Sequence, residues 1–310
     1  MRLNRRCKRE KAGESNGKDA AEPKWFMHSG VTPQELSERT AAKNGAAKSS
    51  TRRGPRIIGR LLFCWSWFVA ALLLLFFAPP VLLIGGLAKR QNWIYWWANW
   101  GARTWLRLSG VSVKVTGLEL LDPQQPYVFV ANHWSYLDAA PLFAYTGRRM
   151  GMVAKKELLK APILGYGMGF VNVIAIDRSN RDRAVESLRI ATERLRSGIS
   201  FGVCPEGTRA RPGEMLSFKK GAFHMAVQAG VPVVPMALKN SDVLMGRGTG
   251  EAWPGTIGMV MLPPVETSWV SSDDDLRKLV EQVQGAIMKE LGVEKITPRQ
   301  PRATARQNHT

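Results

Sequence analysis

His133 is one of four histidines in the chain, and it stands where an apolar run ends: 127-YVFVANHWSYLDAAP-141. Asp138 follows five residues later. Residues five apart on a regular helix lie about 140° out of phase, so two mid-helix side chains at this spacing would not meet. They meet if His133 occupies the turn before a helix over 134–145 and Asp138 its first turns, with Asn132 or Ser135 near the cap. A carboxylate on one imidazole nitrogen fixes the tautomer and raises the basicity of the other, leaving Nε2 to take a proton from a hydroxyl. No nucleophilic serine in a G-x-S-x-G elbow accompanies this pair, so that hydroxyl belongs to a substrate. Spacing alone fits equally a histidine satisfied by local backbone.

A second stretch, 203-VCPEGTRARPG-213, reads as a strand end followed by a glycine turn. Gly207 permits close approach, and Thr208, Arg209 and Arg211 supply donors, which suits a phosphate because guanidinium groups bind oxyanions bidentately. Glu206 is out of place in a pure anion site and is expected to brace an arginine or to bond a substrate hydroxyl. A third stretch, 155–180, carries Lys155 and Lys156 at one end and Arg178 after a β-like run; by itself it reads as a solvated charge cluster. A fourth, 231-VPVVPMAL-238, reads as a structural strand. His224 falls in a helical pattern ending at Gly230 and reads as structural, and Lys219 and Lys220 read as solvated.

These residues need a scaffold. Short β-like runs occur at 111–116, 127–131, 171–176, 199–203, 231–237 and 258–262. Helical patterns lie between them. In 181–198, Ala184, Val185, Leu188, Ala191 and Leu195 are placed on one face, with Gly198 as the stop. In 272–292, Ser272 and Asp275 form a capping-box pattern and Gly292 ends the helix. Alternating strands and helices predict an α/β domain over 109–293, with a mixed sheet flanked by helices.

Ahead of it, residues 61–87 contain no charge, a length and composition that point to membrane embedding. Pro79-Pro80 is expected to break or sharply bend that helix. In the next segment Trp93, Trp96, Trp97 and Trp100 share one helical face suited to the water–lipid boundary. Basic residues flank both ends (Arg52, Arg53, Arg56 and Arg60 before, Lys89 and Arg90 after), so 57–108 is predicted to be a re-entrant two-helix segment with both ends on the cytoplasmic side. Residues 1–56 read as a disordered basic arm and the tail from Glu294 as frayed.

The net charge is +19, from 44 Lys+Arg against 25 Asp+Glu. That balance implies polyanionic company: nucleic acid, an anionic membrane, or phosphorylated and CoA-like substrates. Three scattered cysteines, Cys7, Cys64 and Cys204, argue against a disulfide framework or a zinc site, and no metal or bound cofactor is expected. Two rivals follow from these features. One is a thioesterase-like hydrolase pairing Cys204 with His133, disfavoured because Cys204 has the setting of an inert buried thiol. The other is a membrane-tethered nucleic-acid binder, disfavoured because no binding module accompanies the charge.

The four stretches, in this order, resemble the 1-acylglycerol-3-phosphate acyltransferase family, the lysophospholipid acyltransferases. Asn132, His133, Ser135 and Asp138 match its Asn-His-x-Ser-x-x-Asp block. Lys155–Lys156 through Arg178 match its second block, Pro205, Glu206, Gly207, Thr208 and Arg209 its third, and Val231 to Pro235 its fourth. The resemblance covers about 110–265. Two positions of the third block depart from it: Cys204 stands for the usual Phe and Ala210 for the usual Ser. The resemblance implies His133 oriented by Asp138 as general base, with Glu206, Gly207, Thr208, Arg209, Arg178 and Lys156 holding the glycerol-phosphate end. It further implies a lysophospholipid and an acyl thioester, on CoA or acyl carrier protein, as the reacting partners, in contact with anionic membrane lipid. Acylation of another lysolipid remains the alternative. The family's amino-terminal two-helix membrane motif is what the predicted hairpin resembles.

Overall fold

In the computed structural model the described residues are 54–87, 91–161, 164–177, 180–294 and 296–297. The basic arm up to residue 53, Arg178 and the last residues of the tail lie outside them. The chain divides into two units, Met1–Arg52 and Arg53–Thr310, and everything below concerns the second.

Two helices come first, α1 (Arg56–Leu87) and α2 (Gln91–Leu108). They run antiparallel. Trp65 Nε1 donates to the Leu108 carbonyl at 2.9 Å, the Ser66 and Ser109 hydroxyls meet at 2.8 Å, and farther along Phe77 meets Trp100 at 5.4 Å between ring centroids. The two helices of 57–108 therefore pair as expected, but the expected break is absent. Pro79 and Pro80 lie inside a continuous α1. Each proline leaves one carbonyl a turn earlier without its helical donor. Pro80 instead helps line an apolar groove between the helices, where it, Val81 and Ile84 face Trp93 and Trp97. By length and composition α1 can cross a membrane over Arg56–Ile84.

The expected tryptophan face is split. Trp93 and Trp96 are exposed, while Trp97 and Trp100 pack together at 5.3 Å and are half-buried. The other side of α2 buries Ile94 and Tyr95, and the Tyr95 ring stacks on Phe143 at 6.1 Å. The start of α1 also docks on the α/β domain. Ala252 N donates to the Gly59 carbonyl at 2.8 Å, and a β-carbon at position 59 would come within 2.7 Å of the Trp253 ring. Only glycine allows that approach.

The domain continues as β1 (Val111–Thr116), β2 (Val128–Ala131), α3 (Ala139–Ala144), β3 (Met150–Lys155), α4 (Leu164–Met168), β4 (Val173–Ile176), α5 (Arg181–Arg196), β5 (Ser200–Val203), β6 (Met215–Leu216), α6 (Gly221–Ala229), β7 (Val233–Lys239), α7 (Ser241–Met245), β8 (Gly255–Met261), α8 (Asp273–Leu291) and β9 (Ile296–Thr297). Seven strands form one sheet in the order β1-β8-β7-β2-β5-β3-β4. All neighbours are parallel except β7 and β8, so the predicted mixed sheet is observed. β2 is central and covered on both faces. Val128 and Val130 enter a cluster with Ala191 and Leu195 of α5, Phe223 of α6 and Leu279 of α8, whereas Phe129 and Ala131 enter one with Leu106 of α2 and Leu142 of α3. A strand buried on both faces reads as continuously apolar, as 128-VFVA-131 does.

Three expectations are corrected. Val185 is 59% exposed and does not share the inward face of α5, because that face narrows to Leu188, Ala191 and Leu195. The helix expected over 134–145 is only α3, since residues 132–138 turn irregularly to satisfy Asp138. The tail's first residues do not fray: Ile296 and Thr297 pair with Met215 and Leu216.

Candidate active site

Parallel neighbours end at the same edge of a sheet, and in α/β folds that carboxyl edge is where ligand sites form. Val130 of β2 is in register with Val203 of β5, so the His133 turn and the Glu206 turn leave side by side. β3 and β4 deliver Lys156 and Asp177 to the same edge.

Asn132 sets the first turn. Its fully buried amide donates to the Leu238 carbonyl at 3.0 Å and accepts from Leu238 N at 2.7 Å, continuing the β2–β7 pairing with a side chain. His133 follows, its Nδ1 2.9 Å from Asp138 Oδ2. A carboxylate oxygen accepts, so Nδ1 carries the proton. The same oxygen accepts from Trp134 N and Ser135 N, both at 2.7 Å. Asp138 is fully buried and held on the backbone of the residues it organises. That is how a spacing of five brings acid and imidazole together. Ser135, also fully buried, donates through Oγ to the Met245 carbonyl at 2.7 Å and accepts from Leu137 N. The His133 side chain is 27% exposed, and among the described residues nothing bonds Nε2.

The second turn is tied to the first at three points. Glu206 Oε1 accepts from His133 N at 2.7 Å, Ala210 N donates to the His133 carbonyl at 2.8 Å, and Cys204 Sγ lies 3.9 Å from the Asn132 carbonyl. The other Glu206 oxygen accepts from Leu216 N at 2.9 Å. With 1% of its surface exposed, Glu206 stands behind the histidine and braces backbone, where the sequence placed it among substrate-binding groups. Gly207 has φ 69°, and a β-carbon there would sit 3.3 Å from Lys219 Nζ. Thr208 is exposed and Arg209 half-buried. The Arg209 guanidinium lies over the Tyr136 ring at 3.4 Å, and its Nη1 is buried without a hydrogen-bond partner among the described residues.

Lys156 is committed to a neighbour. Its Nζ is 2.8 Å from Asp177, a buried acid that Arg183 also approaches at 3.6 Å. Beside it, a hydrogen bond from Lys155 holds the Glu157 carboxyl below its ordinary value. Arg178 lies outside the described residues. His224 is exposed on α6, away from any of these contacts. No group of three or more His, Cys, Asp or Glu side chains forms a metal-ligand set among the described residues.

Several residues that shape the site were not singled out as site residues from sequence. Asn132 and Ser135 were visible as cap candidates and as members of a block, but not for the bonds they make. Trp134 buries its ring against Ala210 and Leu216 and donates to the Glu214 carbonyl at 2.5 Å. The small Ala210, which is fully buried there, thus has a packing role that a larger residue would disturb. Lys219, read as solvated, lies against the Gly207 turn.

Comparison with known proteins follows the same geometry. A family model described as Acyltransferase matches residues 112–239. The human 1-acyl-sn-glycerol-3-phosphate acyltransferase alpha is 38% identical over 168 residues, which span 54% of this chain and 59% of the human protein. The mouse protein of the same name gives 37% over 169 residues, again 54% and 59%, so the match covers less than two thirds of these mammalian relatives. A Caenorhabditis elegans relative, named only provisionally for the same activity, is 32% identical over 194 residues, covering 61% of this chain and 69% of its own length. The crystal structure of the 1-acyl-sn-glycerophosphate acyltransferase PlsC from Thermotoga maritima superposes with a TM-score of 0.67 at 29% identity, covering 78% of this chain and all of that one. Fold, motif geometry and sequence agree, and the chain belongs to the 1-acyl-sn-glycerol-3-phosphate acyltransferase family.

Proposed function

We propose that the protein transfers a fatty acyl group from an acyl thioester, on CoA or acyl carrier protein, to the sn-2 hydroxyl of 1-acyl-glycerol-3-phosphate, giving phosphatidic acid. The observation that carries this reading is the His133–Asp138 pair, 2.9 Å apart, with the acid buried and the imidazole partly open at the carboxyl edge of the sheet. In the proposed step the acceptor hydroxyl gives its proton to His133 Nε2 as its oxygen attacks the thioester carbonyl. The tetrahedral adduct collapses, the carbon–sulfur bond breaks, and the leaving thiolate takes the proton back from the imidazolium. No acyl-enzyme forms, and His133 ends as it began.

Gly207, Thr208 and Arg209 would seat the phosphate, with Arg178 and Lys156 adding positive charge from the neighbouring strand ends. Glu206 serves the reaction by fixing the His133 backbone. The hairpin of α1 and α2 would lie in the membrane with the domain on its cytoplasmic face. There the basic chain favours anionic lipid by about 1 kcal/mol per well-placed cation. The hydrolase alternative gains nothing from Cys204, whose thiol faces the Asn132 carbonyl.

The test is a thin-layer assay of the purified full chain in detergent, with a labelled acyl thioester offered to lysophosphatidate, glycerol 3-phosphate and other lysolipids. Preferred labelling of lysophosphatidate, lost in His133→Ala, is expected; free fatty acid as the main product would refute the transferase reading.

A further inference from the structure

We propose that Tyr136 is a positioning residue for the anion seat, an aromatic shelf that orients Arg209, and that α1 holds the shelf in place. The inference rests on the functional reading above, in which Arg209 meets the acceptor phosphate.

The backbone on either side of Tyr136 is fixed. Ser135 is pinned to Met245 and to Asp138, and Leu137 is buried. The Tyr136 side chain between them is 38% exposed and turns toward Arg209, whose guanidinium carbon is 3.4 Å from the ring centroid. The kind of contact matters. A carboxylate partner would hold the guanidinium by consuming its N–H donors. A ring face holds the charge and leaves the in-plane donors for an oxyanion. The Arg209 backbone is held too, since its carbonyl accepts from Arg247 Nη1 at 2.5 Å and the following Ala210 N bonds the His133 carbonyl. One buried guanidinium nitrogen has no hydrogen-bond partner among the described residues, as expected of a donor reserved for a ligand.

The same ring also meets the hairpin. Trp67 meets the Tyr136 ring edge-on at 5.4 Å and 83°, and Phe63, one helical turn earlier, at 6.4 Å and 68°. Thus α1, Tyr136 and Arg209 form a continuous series of contacts from the membrane-type helix to the proposed phosphate seat. Seating of the hairpin and affinity for the acceptor phosphate should therefore be coupled.

The experiment measures KM separately for lysophosphatidate and for the acyl thioester, using the purified full chain in nanodiscs. Tyr136→Leu should raise KM for lysophosphatidate about fivefold, the scale of one partly exposed cation–π contact. KM for the thioester and kcat should stay within about twofold. Tyr136→Phe, which keeps the ring, should return KM to near the wild-type value, and Trp67→Leu should move it the same way by a smaller factor. Combining Tyr136→Leu with Arg209→Ala should add little to Arg209→Ala alone, because the shelf acts through the arginine. An unchanged lysophosphatidate KM in Tyr136→Leu, an equal rise in both KM values, or full additivity with Arg209→Ala overturns the proposal while the functional reading stands. A wild-type chain that does not acylate lysophosphatidate overturns both.

Discussion

On α1 large apolar side chains face outward while a serine is hidden: Phe76 is 64% exposed, Leu75 and Leu83 are similar, and Ser66 is fully buried against Ser109 and Trp105. In the α/β domain the order is reversed. Val128, Phe129 and Val130 are fully buried, and the buried acids Asp138 and Glu206 are enclosed by backbone N–H donors. The two regions obey one rule in two solvents. Each hides whatever its surroundings cannot solvate, and a charge enters the protein interior only where donors await it. The turn that carries His133 and Asp138 reaches α1 through Tyr136, whose ring meets Phe63 and Trp67.

The largest expected effect comes from removing the His133–Asp138 pair. His133→Ala should lower transfer by roughly 10²–10⁴-fold, the usual contribution of a general base, and Asp138→Asn should follow it. Both variants should still float with liposomes, because α1 is untouched. Initial rates at saturating substrates, with flotation as the control, check this; near-normal turnover would remove the general-base role.

Glu206 gives the next effect and sharpens the contrast between a substrate ligand and a brace. Glu206→Ala leaves the N–H groups of His133 and Leu216 buried without their acceptor, at roughly 1–3 kcal/mol each. Denaturant unfolding should show that loss, and kcat should fall as His133 loosens. If only the lysophosphatidate KM rose, at unchanged stability, Glu206 would be a substrate group after all.

Much of this arrangement was legible in the sequence because local pattern and tertiary demand coincide. The six β-like runs all became strands, and the Ser272–Asp275 box and Gly292 bound α8 as expected. Strand β3 was missed: 150-MGMVAK-155 has glycine, alanine and methionine where β-branched residues usually signal a strand, and its partners on both sides supply the order. Within the site, residue types were visible but partners were not. Nothing in the spacing of 133 and 206 says that a glutamate carboxylate will bond the histidine's own amide, since that depends on β2 and β5 being neighbours. The same holds for Tyr136, whose partners come from residues 63, 67 and 209.

A charge placed on the outward face of α1 tests the other side of the comparison. Phe76→Lys should weaken membrane association, since a lysine deep in the hydrocarbon costs about 2.5–3.5 kcal/mol, while leaving the melting of the α/β domain unchanged. Flotation at increasing ionic strength reads the first quantity and circular dichroism the second. Loss of domain stability instead would mean that Phe76 packs as core, and the inverted reading of α1 would fail.

The smallest effect should come from α8, a water-facing helix whose start contrasts with that of α1. Where α1 has no acid in its first turn, α8 has Asp273, Asp274 and Asp275, and Ser272 accepts from Asp275 N while Asp275 Oδ2 accepts from Ser272 N. Hydrogen bonds from Ser272 and then Ser271 hold the Asp275 carboxyl down at about 2. A carboxyl whose folded value is depressed stabilises the fold above its unfolded value near 3.8, and that contribution fades as the pH falls toward 2. Ser272→Ala should therefore cost about 1 kcal/mol at neutral pH by removing the cap. Part of its deficit relative to wild type should disappear below about pH 3, as protonation costs wild type the Ser272 hydroxyl's bond to Asp275 Oδ2, while the bond from Asp275 N to Ser272 Oγ remains. Because α8 covers the sheet through Leu276, Leu279 and Val283, the loss should appear in domain unfolding and leave flotation untouched. A deficit that stayed constant from pH 7 to pH 2 would show that the carboxyl contributes nothing to the cap.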